Sequence, residues 1–154
     1  MRMRASSECQ PPPSSPTTMS CCETLGGGHT TPAISIFVAV SNSGELLGSV
    51  DFIADMKQYG SAGAANSIAD AAGIRLLAVK PECRGRGIGR SLTAFCTGRA
   101  RELGKSTVIL HTTKAMATAW AMYERMGFRR CVEIDFKQGT LEVFGFWLHL
   151  GSDK

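Results

Sequence analysis

No stretch of the sequence approaches the ~18 consecutive apolar residues that a membrane-spanning helix requires. The N-terminus also has no apolar signal core, so no membrane association is expected and a cytoplasmic location is. The competing reading of Arg2, Arg4 and the serines behind them is an organelle transit peptide. Six cysteines (Cys9, Cys21, Cys22, Cys83, Cys96, Cys131) show neither CxxC spacing nor the density of a secreted disulfide scaffold, which fits a reducing compartment. Cys21 and Cys22 with His29 lack metal-ligand spacing, and no metal is expected. A net charge of +4 is too small to demand a polyanion, and aromatic residues are not interleaved with the arginines as a nucleic-acid platform needs. No nucleic-acid partner is expected.

What is present suffices for one domain: 154 residues, 44% hydrophobic, can bury a single core of ordinary size. Residues 1–32 combine Pro11-Pro12-Pro13, Ser14-Ser15-Pro16 and Gly26-Gly27-Gly28 with almost no apolar periodicity, and are expected to form a disordered leader. Residues 33–150 form the expected domain, and 151–154 a short tail. A β-rich run, Ile34 to Val40, stops at the turn cluster Ser41-Asn42-Ser43-Gly44 and returns from Glu45 to Met56 as a hairpin. Val50, Phe52 and Ala54 then share one face, and Ser49, Asp51, Ile53 and Asp55 the other. Lys57 to Gly73 reads as a small-residue loop able to gate a site. Ile74 to Val79 is nearly all apolar, which predicts a central strand covered on both faces. Helical spacing follows through Leu92, Phe95, Cys96, Arg99 and Leu103, with Gly104 as the cap. A strand is expected from Ser106 to Thr113, a helix from Ala115 to Met126 closing at Gly127-Phe128, and a final hairpin from Arg130 to Phe136 and Leu141 to Leu150. The order β-β-β-α-β-α-β-β indicates a mixed α/β sheet covered by two helices.

The positive charge is concentrated. Lys80 to Lys105 carries seven basic residues against Glu82 and Glu102, a net +5 within a chain of +4. This patch coincides with a strand, a glycine-rich turn and a helix: Leu76 to Val79, Arg84-Gly85-Arg86-Gly87-Ile88-Gly89, then Arg90 to Leu103. Glycines let successive backbone amides face one point, and the helix N-terminus adds about half a positive charge, so a pyrophosphate would be held there. Two familiar phosphate loops fail on the letters. A dinucleotide G-x-G-x-x-G begun at Gly85 needs glycine where Arg90 stands, and begun at Gly87 needs it at Leu92. A P-loop begun at Gly85 also meets Arg90.

With Arg84, Gly87 and Gly89 the loop resembles the Arg/Gln-x-x-Gly-x-Gly/Ala signature of the GNAT acetyltransferase superfamily. A second signature of that family, Ala…Tyr…Gly-Phe on a helix, is similar to Ala119 through Tyr123 to Gly127-Phe128. The resemblance spans about Ile34 to Leu150 and implies a mixed, mainly antiparallel sheet with splayed central strands. It implies acetyl-coenzyme A as cofactor, with Leu77, Ala78 and Val79 on the pantetheine arm and Arg84, Gly85, Arg86, Gly87, Ile88, Gly89 and Arg90 at the pyrophosphate. It further implies acetyl transfer to a primary amine, of a small molecule or a peptide, by direct attack in a ternary complex. Tyr123 would face the cofactor sulfur. A phenol, with a reference pKa of about 10 against about 8.5 for a thiol, keeps its proton until the thiolate departs.

No carboxylate lies on the strand before the loop, so Asp51 and Asp55 are the candidate general bases, acting directly or through water. His111 reads as a hydrogen-bonded structural residue, and nothing in the sequence places a His-Asp pair near Cys83 to make it a nucleophile. The strand-helix unit that usually opens the family's fold is expected to be missing, with the leader in its place, and Met116 stands where the family often has Asn. The acceptor site is therefore expected to be open, completed by a second subunit, or lost. The alternative function is a catalytically weak acyl-coenzyme A-binding or regulatory module. A homodimer is expected to pair through the uncovered edge of the first hairpin.

Overall fold

The computed structural model describes residues 18–22, 33–60 and 64–151, with the backbone alone for 18–22. Its strands are β1 (Thr18–Cys22), β2 (Ile34–Val40), β3 (Leu46–Ile53), β4 (Ala71–Val79), β5 (Thr107–Thr112), β6 (Arg129–Arg130), β7 (Phe136–Gln138) and β8 (Leu141–His149). Two helices, α1 (Ile88–Glu102) and α2 (Ala117–Arg125), lie between β4 and β5 and between β5 and β6. The sheet runs β1-β2-β3-β4-β5-β8-β6, with β7 added to β8, and every pairing is antiparallel except β4 with β5. This is the mixed α/β sheet that the order of elements indicated, mainly antiparallel as the resemblance implied.

Strand alternation sends side chains to two separate apolar layers. Val50 and Phe52 of β3, Ala72 and Ile74 of β4, Val108 and Leu110 of β5 and Phe146 of β8 meet Leu92, Cys96 and Ala100 of α1 and Tyr123 of α2. Both helices thus cover one face. Ile53, Ala71 and Ile109 point the other way, into a smaller layer closed by Met56, Tyr59, Ala65 and Ile134 from short 3-10 turns. Residues expected to form a gating loop therefore include core. Met56 to Gln58 and Ala64 to Ser67 are 3-10 turns, β4 already begins at Ala71, and Tyr59 is only 3% exposed. The intervening residues 61–63 lie outside the described residues.

Three expectations are corrected. First, β4 is covered on both faces only in its first half. Its pairing with β5 runs from Ala71↔Thr107 to Ile74↔Leu110 and stops, while β4 continues to Val79 on β3. Beyond Ile74, Leu76 is 69% exposed and Ala78 is exposed as well. Hydropathy reports apolar content and cannot tell a strand walled by protein from one left open. Secondly, Thr18–Cys22, inside the expected disordered leader, is a strand antiparallel to β2, so the hairpin edge offered for dimerisation is occupied. The rest of the leader lies outside the described residues, as do tail residues 152–154. Thirdly, the segment expected to be a strand from Arg130 to Phe136 contains only β6, a 3-10 turn over Val132–Ile134, and β7. Among the described residues no helix is long and apolar enough to cross a membrane.

Candidate cofactor cleft and active site

Beyond Ile74 and Leu110 the two parallel strands no longer share hydrogen bonds, and this opening is the centre of the site. Its cause is local. Register slips between Ser49 and Asp51 of β3, which face Ala78 and Arg75, so β4 carries one residue more than β3 across the gap. Leu76, within that bulge, has a left-handed backbone with φ of 54°. A bulge of this kind bends its strand and ends the regular ladder.

The glycine-rich turn sits at the open end of β4. Pro81–Cys83 makes one 3-10 turn, Gly85 and Gly87 take φ of 79° and 80°, and α1 starts at once. The Gly87 conformation is one that side-chain-bearing residues avoid, and it aims the chain directly into the helix. The first helical bond joins the Ser91 amide to the Gly87 carbonyl, so the amides of Ile88, Gly89 and Arg90 precede any intrahelical acceptor. Arg84, Arg86 and Arg90 are exposed around this turn, and Arg84 Nε donates to the Val79 carbonyl at 3.4 Å. The arrangement suits an anion with several oxygens.

The same turn touches the opened strand and the second helix. A methyl group on Gly89 would lie 3.7 Å from Val79 Cγ2, 3.8 Å from Leu77 Cδ2 and 3.8 Å from Met122 Sδ. Leu77 and Val79 thus face α1, and the chain brings β4, the glycine turn and α2 together. Tyr123, next to Met122, is 4% exposed and meets Phe128 edge-on at 5.7 Å between ring centroids. Burial pushes its phenol up to about 12, with Cys96 nearby adding in the same direction. A hydroxyl held this firmly protonated is a donor and not a base at neutral pH.

The opposite side of the opening holds groups that sequence reasoning underrated. Asp51 stands across from Arg75, with Oδ2 3.7 Å from Nη2, just past the last β4–β5 pair. Arg75 Nη1 also donates to the Tyr59 carbonyl at 2.7 Å, while its buried Nε has no partner. The Tyr59 hydroxyl and His111 Nδ1 are 2.8 Å apart, and His111 Nε2 is 2.7 Å from the Ile134 carbonyl. A carbonyl can only accept, so Nε2 carries the hydrogen and Nδ1 accepts from the Tyr59 hydroxyl. Burial lowers the His111 pKa and raises that of Tyr59, which keeps both neutral. His111 is hydrogen-bonded at both nitrogens, as its strand position suggested. Tyr59 was missed because it follows the apolar pattern, in a segment expected to be a loop. Asp55 lies at the far end of β3, where its carboxylate accepts the Lys57 amide at 3.0 Å and caps a 3-10 turn.

Comparison with known proteins agrees with this geometry. The model of the acetyltransferase (GNAT) family matches residues 4–128. A mycothiol acetyltransferase of Cellulomonas flavigena is 34% identical over 94 residues, covering 61% of this chain and 26% of that protein. Another, from Geodermatophilus obscurus, is 32% identical over 66 residues, covering 42% of this chain and 21% of that protein. The chain spans about a quarter of the length of these curated relatives. Among solved structures, a Bacillus subtilis acetyltransferase in complex with CoA shares the fold at a TM-score of 0.59 and 19% identity, covering 77% of this chain and 78% of that one.

Proposed function

This chain belongs to the acetyltransferase (GNAT) family, and from that premise we propose that it transfers acetyl from acetyl-coenzyme A to a primary amine, of a small molecule or a peptide, in a ternary complex. The observation that carries the reading is the parting of β4 from β5 beside the glycine turn and the N-terminus of α1. Leu77, Ala78 and Val79 leave backbone groups unclaimed by β5, suited to an extended amide-bearing arm. The turn from Arg84 through Gly85, Arg86, Gly87, Ile88 and Gly89 to Arg90 offers amides and positive charge to a pyrophosphate. A coenzyme A thioester fits that pair of features and would supply the activated acetyl group.

The chain's own contribution is to orient, exclude water and move protons. Tyr123, protonated and buried on the helix side, donates its proton to the departing thiol sulfur. The amine approaches from the other side of the sheet. Asp51, which pairs with Arg75 one residue past the last β4–β5 pair, takes the proton released as the nitrogen–carbon bond forms, directly or through water. Asp55, beyond the end of the β3–β4 ladder, is the more remote of the two candidate carboxylates.

Acyl-coenzyme A binding without efficient transfer is the second reading, and one observation favours it: Asp51 is held by Arg75 and Asp55 by the Lys57 amide. Thiol release from acetyl-coenzyme A over a panel of amines separates the two. Under the enzyme reading, Tyr123→Phe lowers turnover by ~10²-fold or more and leaves coenzyme A affinity unchanged. Unchanged turnover would sink the role of Tyr123. Coenzyme A binding with no amine acetylated would favour the binding module.

A further inference from the structure

We propose that Leu76 is a specificity-determining residue of the acceptor pocket, selecting amines whose nitrogen-bearing carbon is attached to an apolar group. The assignment rests on the acetyltransferase reading and extends it to the acceptor. Leu76 combines three properties that ordinary packing does not produce together. It is a bulky apolar side chain, it is 69% exposed, and its backbone is left-handed at φ 54°. Asp70 is the other described non-glycine residue with positive φ, and its short polar side chain tolerates that region far better than leucine does.

The direction of the side chain follows from the bulge. Ile74 and Leu77 both pack against the helix-side core, so the two residues between them, Arg75 and Leu76, belong to the opposite face. Arg75 demonstrates this by reaching Asp51 and the Tyr59 carbonyl there. Leu76 packs against neither apolar layer. It therefore stands at the edge of the opening, one residue beyond Arg75, on the side from which the amine approaches. A glycine at 76 would satisfy the same backbone without strain, so the leucine side chain is maintained at a cost to the fold. Strain retained at a cleft is the expected mark of a side chain with a ligand to meet.

The test uses the full chain, acetyl-coenzyme A and linear alkylamines from ethylamine to hexylamine, with ethylenediamine as the polar comparison. In the unaltered protein kcat/KM rises by roughly two- to fourfold for each added methylene until the pocket is filled. Leu76→Gly flattens that dependence while coenzyme A affinity is kept, and its Tm is unchanged or about 1–3 °C higher because strain is relieved. Leu76→Met, which keeps apolar bulk, retains the chain-length dependence. Equal slopes in the unaltered and Leu76→Gly proteins overturn the assignment alone. So does a Tm lowered by several degrees, which would make Leu76 a structural contact. Acetylation of a peptide amine but of none of these amines overturns the assignment alone, whereas acetylation of neither these amines nor a peptide amine overturns the acetyltransferase reading with it.

Discussion

A methyl group on residue 73 would separate the second apolar layer from the sheet it covers. Built on Gly73 of β4, it would lie 2.6 Å from Tyr59 Cε2, overlap Cδ2 as well, and come within 3.2 Å of Met56 Sδ. The thioether can give way, but the ring is wedged between β4 and His111 and is 3% exposed. Gly73→Ala must therefore displace Tyr59 and break its hydrogen bond to His111. Overpacking typically costs 1–3 kcal/mol and a lost buried hydrogen bond about 1 kcal/mol, so destabilisation of about 2–4 kcal/mol is expected. In a Tyr59→Ala background the obstacle is gone. There the same substitution should be neutral or stabilise by up to about 1 kcal/mol, because glycine is the poorer residue within a strand. Equilibrium urea denaturation of the four proteins of this cycle should give a coupling of about 2–5 kcal/mol. An equal cost of Gly73→Ala in both backgrounds would refute the packing argument and remove the reason for the orientation of Tyr59.

Other perturbations address the cleft and its protons. Gly87→Ala forces a side chain into the left-handed region, and should cost about 1–2 kcal/mol of stability and weaken coenzyme A binding, both measurable by melting and calorimetry. The Tyr123 phenol is pushed up to about 12 by burial, so turnover should show no basic limb from this residue below about pH 10. A basic limb between pH 8 and 10 that disappears in Tyr123→Phe would contradict its assignment as a firmly protonated donor. His111 has its pKa lowered from 6.5, so the unfolded chain binds a proton more readily than the folded one. Stability should fall as pH drops below about 6.5 and continue falling until the folded imidazole titrates, and His111→Gln should remove that part of the slope in urea titrations.

Sequence alone revealed the parts of the fold that have a local cause. Gly85 and Gly87 next to an arginine cluster announce a backbone that side chains cannot adopt, and the alternation of Val50 with Phe52 announces a half-buried strand. The helix that carries Tyr123 was legible because Gly127-Phe128 marks its stop. What stayed hidden depends on distant pairing. Nothing in Leu76-Leu77-Ala78 states that β5 departs after Leu110, so an exposed opening reads as a buried strand. Thr18–Cys22 lacks apolar alternation and becomes a strand through β2. Tyr59 and His111 lie 52 positions apart, and only Gly73, by leaving room for the ring on β4, lets the pair form.

The account depends most on the claim that the opening between β4 and β5 holds acetyl-coenzyme A. Calorimetric titration of the full chain with acetyl-coenzyme A, then with free coenzyme A, tests it without any knowledge of the acceptor. Binding of both with dissociation constants on the order of micromolar, weakened in Gly87→Ala, is the predicted result. Absence of binding heat at several temperatures, together with no thermal stabilisation by either ligand, would contradict it.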